Sequence, residues 1–150
     1  MRFPSFLLTS LLTTALALPH QARGISESDS PISVGPWSLT YNPGCGTSPA
    51  GCVYAFNITY TPPYGSSQAS EPAFSTSCQG TNIQGSYRAC TDASVSSNEY
   101  SNGLNDTLMV QHVYTSGEAT YTVTGNVTIT DFQTTGQRLV IVPNEITAVA

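Results

Sequence analysis

The sequence predicts an all-β protein, a single antiparallel β-barrel or barrel-like sandwich with disulfide-stapled loops. Apolar and polar residues alternate along several segments, and aromatic and β-branched residues are concentrated in them. No window has the 3.6-residue apolar spacing of a helix. About seven strands with one apolar face each favour a barrel or sandwich, because an open sheet would expose its edges in a chain without lysine.

The chain begins with the features of a secretion signal. Met1-Arg2 is a positive start, and the apolar run at residues 6–18 is too short to span a bilayer. Ala15-Leu16-Ala17 matches the small-residue cleavage pattern. We therefore predict a signal peptide at residues 1–17, cleaved after Ala17, and a soluble, extracellular mature protein.

The domain boundaries are placed by where the alternation of apolar and polar residues is absent and where it is present. Residues 18–33 are polar and aperiodic, which predicts a flexible N-terminal segment. Residues 34–150 are assigned to the single β-barrel domain. The apolar faces of its three clearest strands are Trp37, Leu39 and Tyr41; Tyr54, Phe56, Ile58 and Tyr60; and Tyr121, Val123, Gly125, Val127 and Ile129.

The connections between strands are predicted from turn residues. Ser116-Gly117 indicates the turn of an antiparallel hairpin. Stretches rich in Ser, Asn and Gly predict long loops at 61–72 and 91–106. The remaining strands are predicted at residues 74–78, 84–90, 108–114 and 139–142.

The four cysteines predict two disulfide bonds, because their number is even and the chain carries an export signal. Three pairings are open, and we prefer the local ones, Cys45–Cys52 and Cys78–Cys90, which close short loops. Each bridge would contribute about 2.5–3 kcal/mol by loop entropy. The spacings Cys-x6-Cys and Cys-x11-Cys are unlike those of zinc sites, so no metal site is predicted.

The charge balance excludes two classes of partner. The chain has no lysine, and after the signal only Arg23, Arg88 and Arg138 are basic, against nine carboxylates in the whole sequence. Nucleic acids and anionic membrane surfaces are bound through clusters of basic residues. We therefore expect neither as a partner.

Three sequons predict N-glycosylation at Asn57, Asn105 and Asn126. Strand alternation puts Asn57 and Asn126 on polar faces, where a glycan can be accommodated, and Asn105 at the end of a loop. The alternative is that such triplets arise by chance in a threonine-rich chain.

Catalytic and metal-binding constellations are absent from the sequence pattern. His112 shares a strand face with apolar residues, so we predict a packed histidine, and no Gly-x-Ser-x-Gly elbow occurs. We predict no catalytic residue, no cofactor and no enzymatic activity. The acidic residues expected in or beside solvated loops are Glu71, Asp92, Glu99, Asp106 and Glu118.

Most aromatic residues fall on apolar strand faces and are assigned to the core. Tyr64 and Tyr100 are predicted to lie in loops, where they are candidate surface contacts. They motivate an alternative function, a small cell-wall carbohydrate-binding module. A secreted hydrolase is the second alternative.

Several motifs follow one another in an order that resembles a known family. They are Trp37; Phe56-Asn57-Ile58; Phe74 with Cys78; Tyr87-Arg88-Ala89-Cys90; and Leu108-Met109-Val110-Gln111-His112 followed by Tyr121-Thr122-Val123-Thr124-Gly125-Asn126. Over residues 34–130 this order resembles the fungal secreted β-barrel proteins typified by the major allergen of Alternaria.

This resemblance implies a compact barrel without catalytic machinery, in a family that includes allergens, effectors and elicitors that contact plant hosts. It also implies a bridge between Cys78 and Cys90. Dimeric members use a cysteine ahead of the first strand, but residues 24–36 contain none, and no cysteine follows Cys90. We therefore expect no covalent dimer.

The sequence thus leads to one functional hypothesis with two alternatives already named. We predict a secreted, non-enzymatic fungal protein, effector-, elicitor- or allergen-like, that recognises a host or cell-wall protein or a small ligand outside the cell.

Overall fold

The computed structural model describes residues 34–44, 51–65 and 70–150. The predicted signal peptide (1–17), the N-terminal segment (18–33) and Cys45 lie outside these residues. The described part of the chain contains no helix, and so none long and apolar enough to cross a membrane.

The described residues form eight strands in one antiparallel sheet, which confirms the all-β barrel prediction. Numbered along the chain, the strands lie from one edge of the sheet to the other in the order third, second, first, eighth, seventh, sixth, fifth and fourth. The sheet curls into a nearly closed barrel. The strands are β1 (Trp37–Gly44), β2 (Val53–Tyr60), β3 (Phe74–Thr81), β4 (Arg88–Ala89), β5 (Val95–Ser101), β6 (Asp106–Ser116), β7 (Ala119–Ile129) and β8 (Gln137–Val149).

A covalent bond and hydrogen bonds join the two ends of the sheet, β3 and β4. The Cys78–Cys90 disulfide, as predicted, links β3 to the residue that follows β4. Beside it, the backbone N–H of Thr91 donates to the carbonyl of Ser77 at 2.9 Å. The disulfide and this hydrogen bond, called the seam below, connect the two edges of the sheet, where strand pairing ends.

The side chains that were predicted to face inward, from the alternation along each strand, fill the interior of the barrel. The inward residues of β1, β2 and the first half of β6 are buried, whereas their neighbours face outward. Tertiary packing thus follows directly from the period-two pattern. The core includes Trp37, Leu39, Tyr41, Tyr54, Phe56, Ile58, Tyr60, Phe74, Val95, Leu108, Val110, Tyr114, Val123, Ile129, Ile141 and Ile146.

The predicted β6–β7 turn is confirmed. Ser116 pairs with Ala119, and the intervening Gly117 has φ of 62°, in the left-handed region that glycine adopts without strain. The hairpin therefore closes with two residues.

Two sequence predictions about strands were wrong, and a third strand is longer than predicted. The predicted loop at 91–106 contains β5, whose sequence Val-Ser-Ser-Asn-Glu-Tyr-Ser has too few apolar residues to give a hydrophobic period. Conversely, the strand expected at 84–90 is reduced to the two residues of β4. The strand predicted at 139–142 is present, in the first half of β8, but β8 is longer: it has 13 residues and continues past an irregularity in its pairing with β7.

Candidate functional site

A hydrogen-bonded acid–histidine pair lies inside one end of the barrel. Glu71 has no solvent exposure; its Oε1 is 2.7 Å from His112 Nδ1, and its Oε2 accepts a hydrogen bond from Trp37 Nε1 at 3.1 Å. The imidazole packs against Phe74, with ring centroids 4.4 Å apart. The packed position predicted for His112 is confirmed. Glu71 lies in the loop before β3, as expected, but the expectation that it would be solvated was wrong.

A second acidic cluster lies at the opposite end of the interior. The Tyr41 hydroxyl donates to the Glu99 carboxyl, 2.8 Å from Oε2, and Asn82 Nδ2 donates to Asp106 Oδ2 at 2.9 Å. Glu99 and Asp106 have no solvent exposure. Their predicted exposure to solvent was therefore also wrong; Glu99 lies within β5, and Asp106 begins β6 next to the loop.

Burial changes the proton affinity of this second cluster. Desolvation, reinforced by the Asp106 charge, raises the pKa of Glu99 to about 8, although the Tyr41 hydrogen bond acts in the opposite direction. Desolvation and the adjacent Glu99 also raise the pKa of Tyr41. At neutral pH Glu99 is therefore largely protonated, which removes the cost of an uncompensated buried charge.

Both clusters carry groups that could act in proton transfer, but the barrel encloses them. His112 has 2% exposure and Glu71, Glu99 and Asp106 have 0%. A substrate would reach these atoms only if the barrel opened. Among the described residues, no group of three or more His, Cys, Asp or Glu side chains has a geometry that could hold a metal ion.

A different kind of site lies on the outer side of β1, β2 and β3. A groove of about 380 Å³, called the central groove below, runs between these strands and the segment that follows β4. Hydroxyl and amide groups dominate it, and none of its lining residues is charged. The lining includes Asn42, Ala55, Asn57, Ser77, Gln79 and Thr91.

Adjacent grooves extend this surface and bring two arginines to it. One of about 560 Å³ shares Asn42 and Gln79 with the central groove and adds Arg88. Another of about 500 Å³, reaching across β1 to β8, shares Asn57 and adds Arg138. Both arginines are exposed, and in the described part of the chain neither forms an ion pair.

The predicted glycosylation sites differ in their surroundings. Asn57 and Asn126 face outward from β2 and β7, as alternation predicted, and Asn105 is half-buried just before β6. Asn57 lines the central groove, whereas Asn105 and Asn126 line none of the grooves described above. Occupancy by glycans stays a prediction.

The two candidate tyrosines are exposed but far apart. Tyr64 follows the end of β2, whereas Tyr100 lies near the opposite end of the barrel, in β5 and not in the predicted loop. They form no common aromatic surface. Cys52 is disulfide-bonded and buried, and the residue predicted as its partner, Cys45, lies outside the described residues.

Sequence reasoning missed the buried acids and the groove for different reasons. Asp106 is in phase with Leu108 and Val110 on β6, and that register could have marked it as inward-facing. The groove residues are ordinary polar members of alternating strands. Only the pairing of β1, β2 and β3 brings them together.

Fold and site together define a class, a small acidic β-barrel closed by a disulfide, with three buried carboxyls inside and a polar groove outside. No protein-family model, curated protein or solved structure matches the chain.

Proposed function

We propose that this chain is an extracellular, non-enzymatic recognition protein that binds its partner through the central groove. One observation carries the proposal: the hydrogen-bonded acid–base groups of the two interior clusters are buried, while the outer groove presents neutral hydrogen-bonding groups flanked by two unpaired arginines. Such a surface can recognise a partner, but it offers no nucleophile with an activating base.

Export is supported by the signal-like N-terminus and by the Cys78–Cys90 bridge, since disulfides persist in oxidising compartments. The resemblance to the Alternaria allergen family supports a fungal effector-, elicitor- or allergen-like role. The proposed partner is therefore a host or cell-wall protein, or a small ligand at the same surface.

The dimensions and chemistry of the groove fit recognition of a polar partner. Its volume of about 380 Å³ falls within the roughly 300–1,000 Å³ of known ligand pockets. Asn42 and Gln79 supply donors and acceptors together, and Ser77 and Thr91 supply hydroxyls. Arg88 and Arg138 add positive charge at its borders, which suits a partner that carries carboxylates, and Asp92 adds a negative charge on the side of Ser77 and Thr91.

A cell-wall carbohydrate-binding module is the second candidate, favoured by the same amide and hydroxyl groups, which match sugar hydroxyls. The separation of Tyr64 from Tyr100 weighs against it, because sugar-binding surfaces depend on aromatic stacking. Retention on chitin, glucan or cellulose columns that is lost in Tyr64→Ala or Tyr100→Ala would favour this candidate. A hydrolase is the third candidate, and a broad activity screen of the native protein tests it directly.

The main proposal is tested by filling the groove. Gln79→Arg introduces a long charged side chain into the groove, whereas Thr120→Arg introduces the same charge on the exposed outer side of β7. The native sequence and both variants are produced without glycans, immobilised, and exposed to plant apoplastic fluid and to solubilised wall fractions. We expect a partner retained by the native protein and by Thr120→Arg but not by Gln79→Arg. Equal retention by both variants would refute the groove as the binding surface.

A further inference from the structure

We infer that an N-glycan on Asn57 lies in the central groove and closes it, so that glycan occupancy at this one residue regulates recognition. This inference rests on the proposed function for its regulatory part. The placement of the glycan in the groove, called its seating below, rests on the position of Asn57 and on the residues that line the groove, and not on the proposed function.

Asn57 lies in the middle of the grooved surface. It occupies the centre of β2, paired with Thr40 of β1 on one side and Ser77 of β3 on the other. Its side chain faces outward and lines the central groove, the groove toward β8, and a third of about 450 Å³ beside Asp92. A sugar attached here therefore starts within the groove and not at its border.

The lining matches the chemistry of the sugars that would be attached. The core of an N-glycan begins with two neutral N-acetylglucosamine units, which offer hydroxyls and acetamide groups, and continues with neutral mannoses. Ser77 and Thr91 hydroxyls, 2.8 Å from each other, lie on one side of Asn57, and the Asn42 amide also lines the groove. Because the glycan is tethered, its effective concentration is on the order of millimolar, and even weak hydrogen bonds would hold it there.

Attachment has to precede folding, because β2 is hydrogen-bonded on both sides in the barrel. In the unfolded chain the Asn57 amide nitrogen loses a proton and bonds to the first sugar, as the sugar separates from its lipid pyrophosphate carrier. The folded chain thus keeps whichever state, open or closed, was set during export.

The other sequon on a strand supplies a matched control. Asn126 also lies mid-strand with an exposed side chain, but it lies opposite Val142 of β8 and lines none of these grooves. A glycan there meets no neutral polar groove. Both sites therefore lie in the middle of a strand with an exposed side chain, but only Asn57 is surrounded by a polar groove.

Glycan seating is tested by enzymatic release from the native protein. Protein from a eukaryotic secretion host is treated with an N-glycosidase, which converts the modified Asn to Asp, and peptide mass spectrometry follows each site. We expect release at Asn57 to be at least tenfold slower than at Asn126 in the folded protein, and equal after reduction and denaturation. Gln79→Arg should abolish the difference. Equal native rates, or an Asn57 that carries no glycan, would overturn the inference.

Regulation is tested separately with two probes. Di-N-acetylchitobiose, the glycan core, should shift the amide resonances of Ser77 and Thr91 in Asn57→Gln but not in protein glycosylated at Asn57. Asn57→Gln should also retain at least tenfold more partner from the apoplastic and wall fractions than the glycosylated protein, and Asn126→Gln should not. Slow release at Asn57 with unchanged retention would refute the groove as the recognition surface and leave the seating intact. Absence of these shifts at chitobiose concentrations on the order of tens of millimolar, above the effective concentration of the tethered glycan, would refute the seating.

Discussion

The buried Glu99 makes a prediction about stability that can be calculated from its surroundings. Its pKa is raised from 4.5 to about 8 in the folded barrel, mainly by desolvation. A carboxyl with a raised folded-state pKa binds its proton more tightly in the folded state than in the unfolded state. Its stabilising contribution is therefore fully present below pH 4.5 and is lost as the pH rises to about 8.

The size of this loss of stability follows from the same shift in the Glu99 pKa. At about 1.4 kcal/mol per pH unit, the free energy of unfolding should fall by on the order of 4 kcal/mol across this interval. Glu99→Gln keeps an acceptor for the Tyr41 hydroxyl and cannot ionise. The variant should match the native protein near pH 4.5 and be more stable than it by a few kcal/mol at pH 8.

Urea unfolding between pH 4.5 and 9, followed by the fluorescence of the buried Trp37, measures this difference. Glu118→Gln removes the same charge from an exposed turn and controls for net charge. Parallel pH profiles for the native protein and Glu99→Gln would show that the Glu99 proton is not coupled to folding.

Three further variants test other parts of the fold by the same assay. Replacing Cys78 and Cys90 together by serine should lower the free energy of unfolding by about 3 kcal/mol, from loop entropy alone, and a change below about 1 kcal/mol would contradict the role of the seam. Gly125→Ala should cost about 1–3 kcal/mol, because the added methyl group would overlap β8, and an unchanged urea midpoint would refute that packing. His112→Phe should cost about 3–5 kcal/mol by leaving Glu71 without its imidazole partner, whereas a neutral effect would show that the pair is dispensable.

The aromatic strands were predictable because their signal is local. Side chains of a strand point alternately to opposite faces, so Tyr54, Phe56 and Ile58 define an inner face without reference to any other segment. The turn at Gly117 is local in the same sense. The spacing of Cys78 and Cys90 also favoured the correct pairing, since short loops close readily.

β5 and the buried acids were not predictable in this way. The inward side of β5 is Val95, Ser97 and Glu99, and its polar members are compensated by distant partners. Ser97 is hydrogen-bonded to Tyr54, 43 residues away, and Glu99 to Tyr41, 58 residues away. Without those partners the segment has the composition of a solvated loop.

The sequence by itself determined the aromatic strands, their inner faces and the all-β class, because side-chain alternation is a property of each segment alone. Only the tertiary structure decided which carboxyls are buried and which polar residues form the central groove. The physical reason is that a buried polar group is stable only with a partner, and a groove exists only between strands that pair. Both depend on residues brought together from distant parts of the chain.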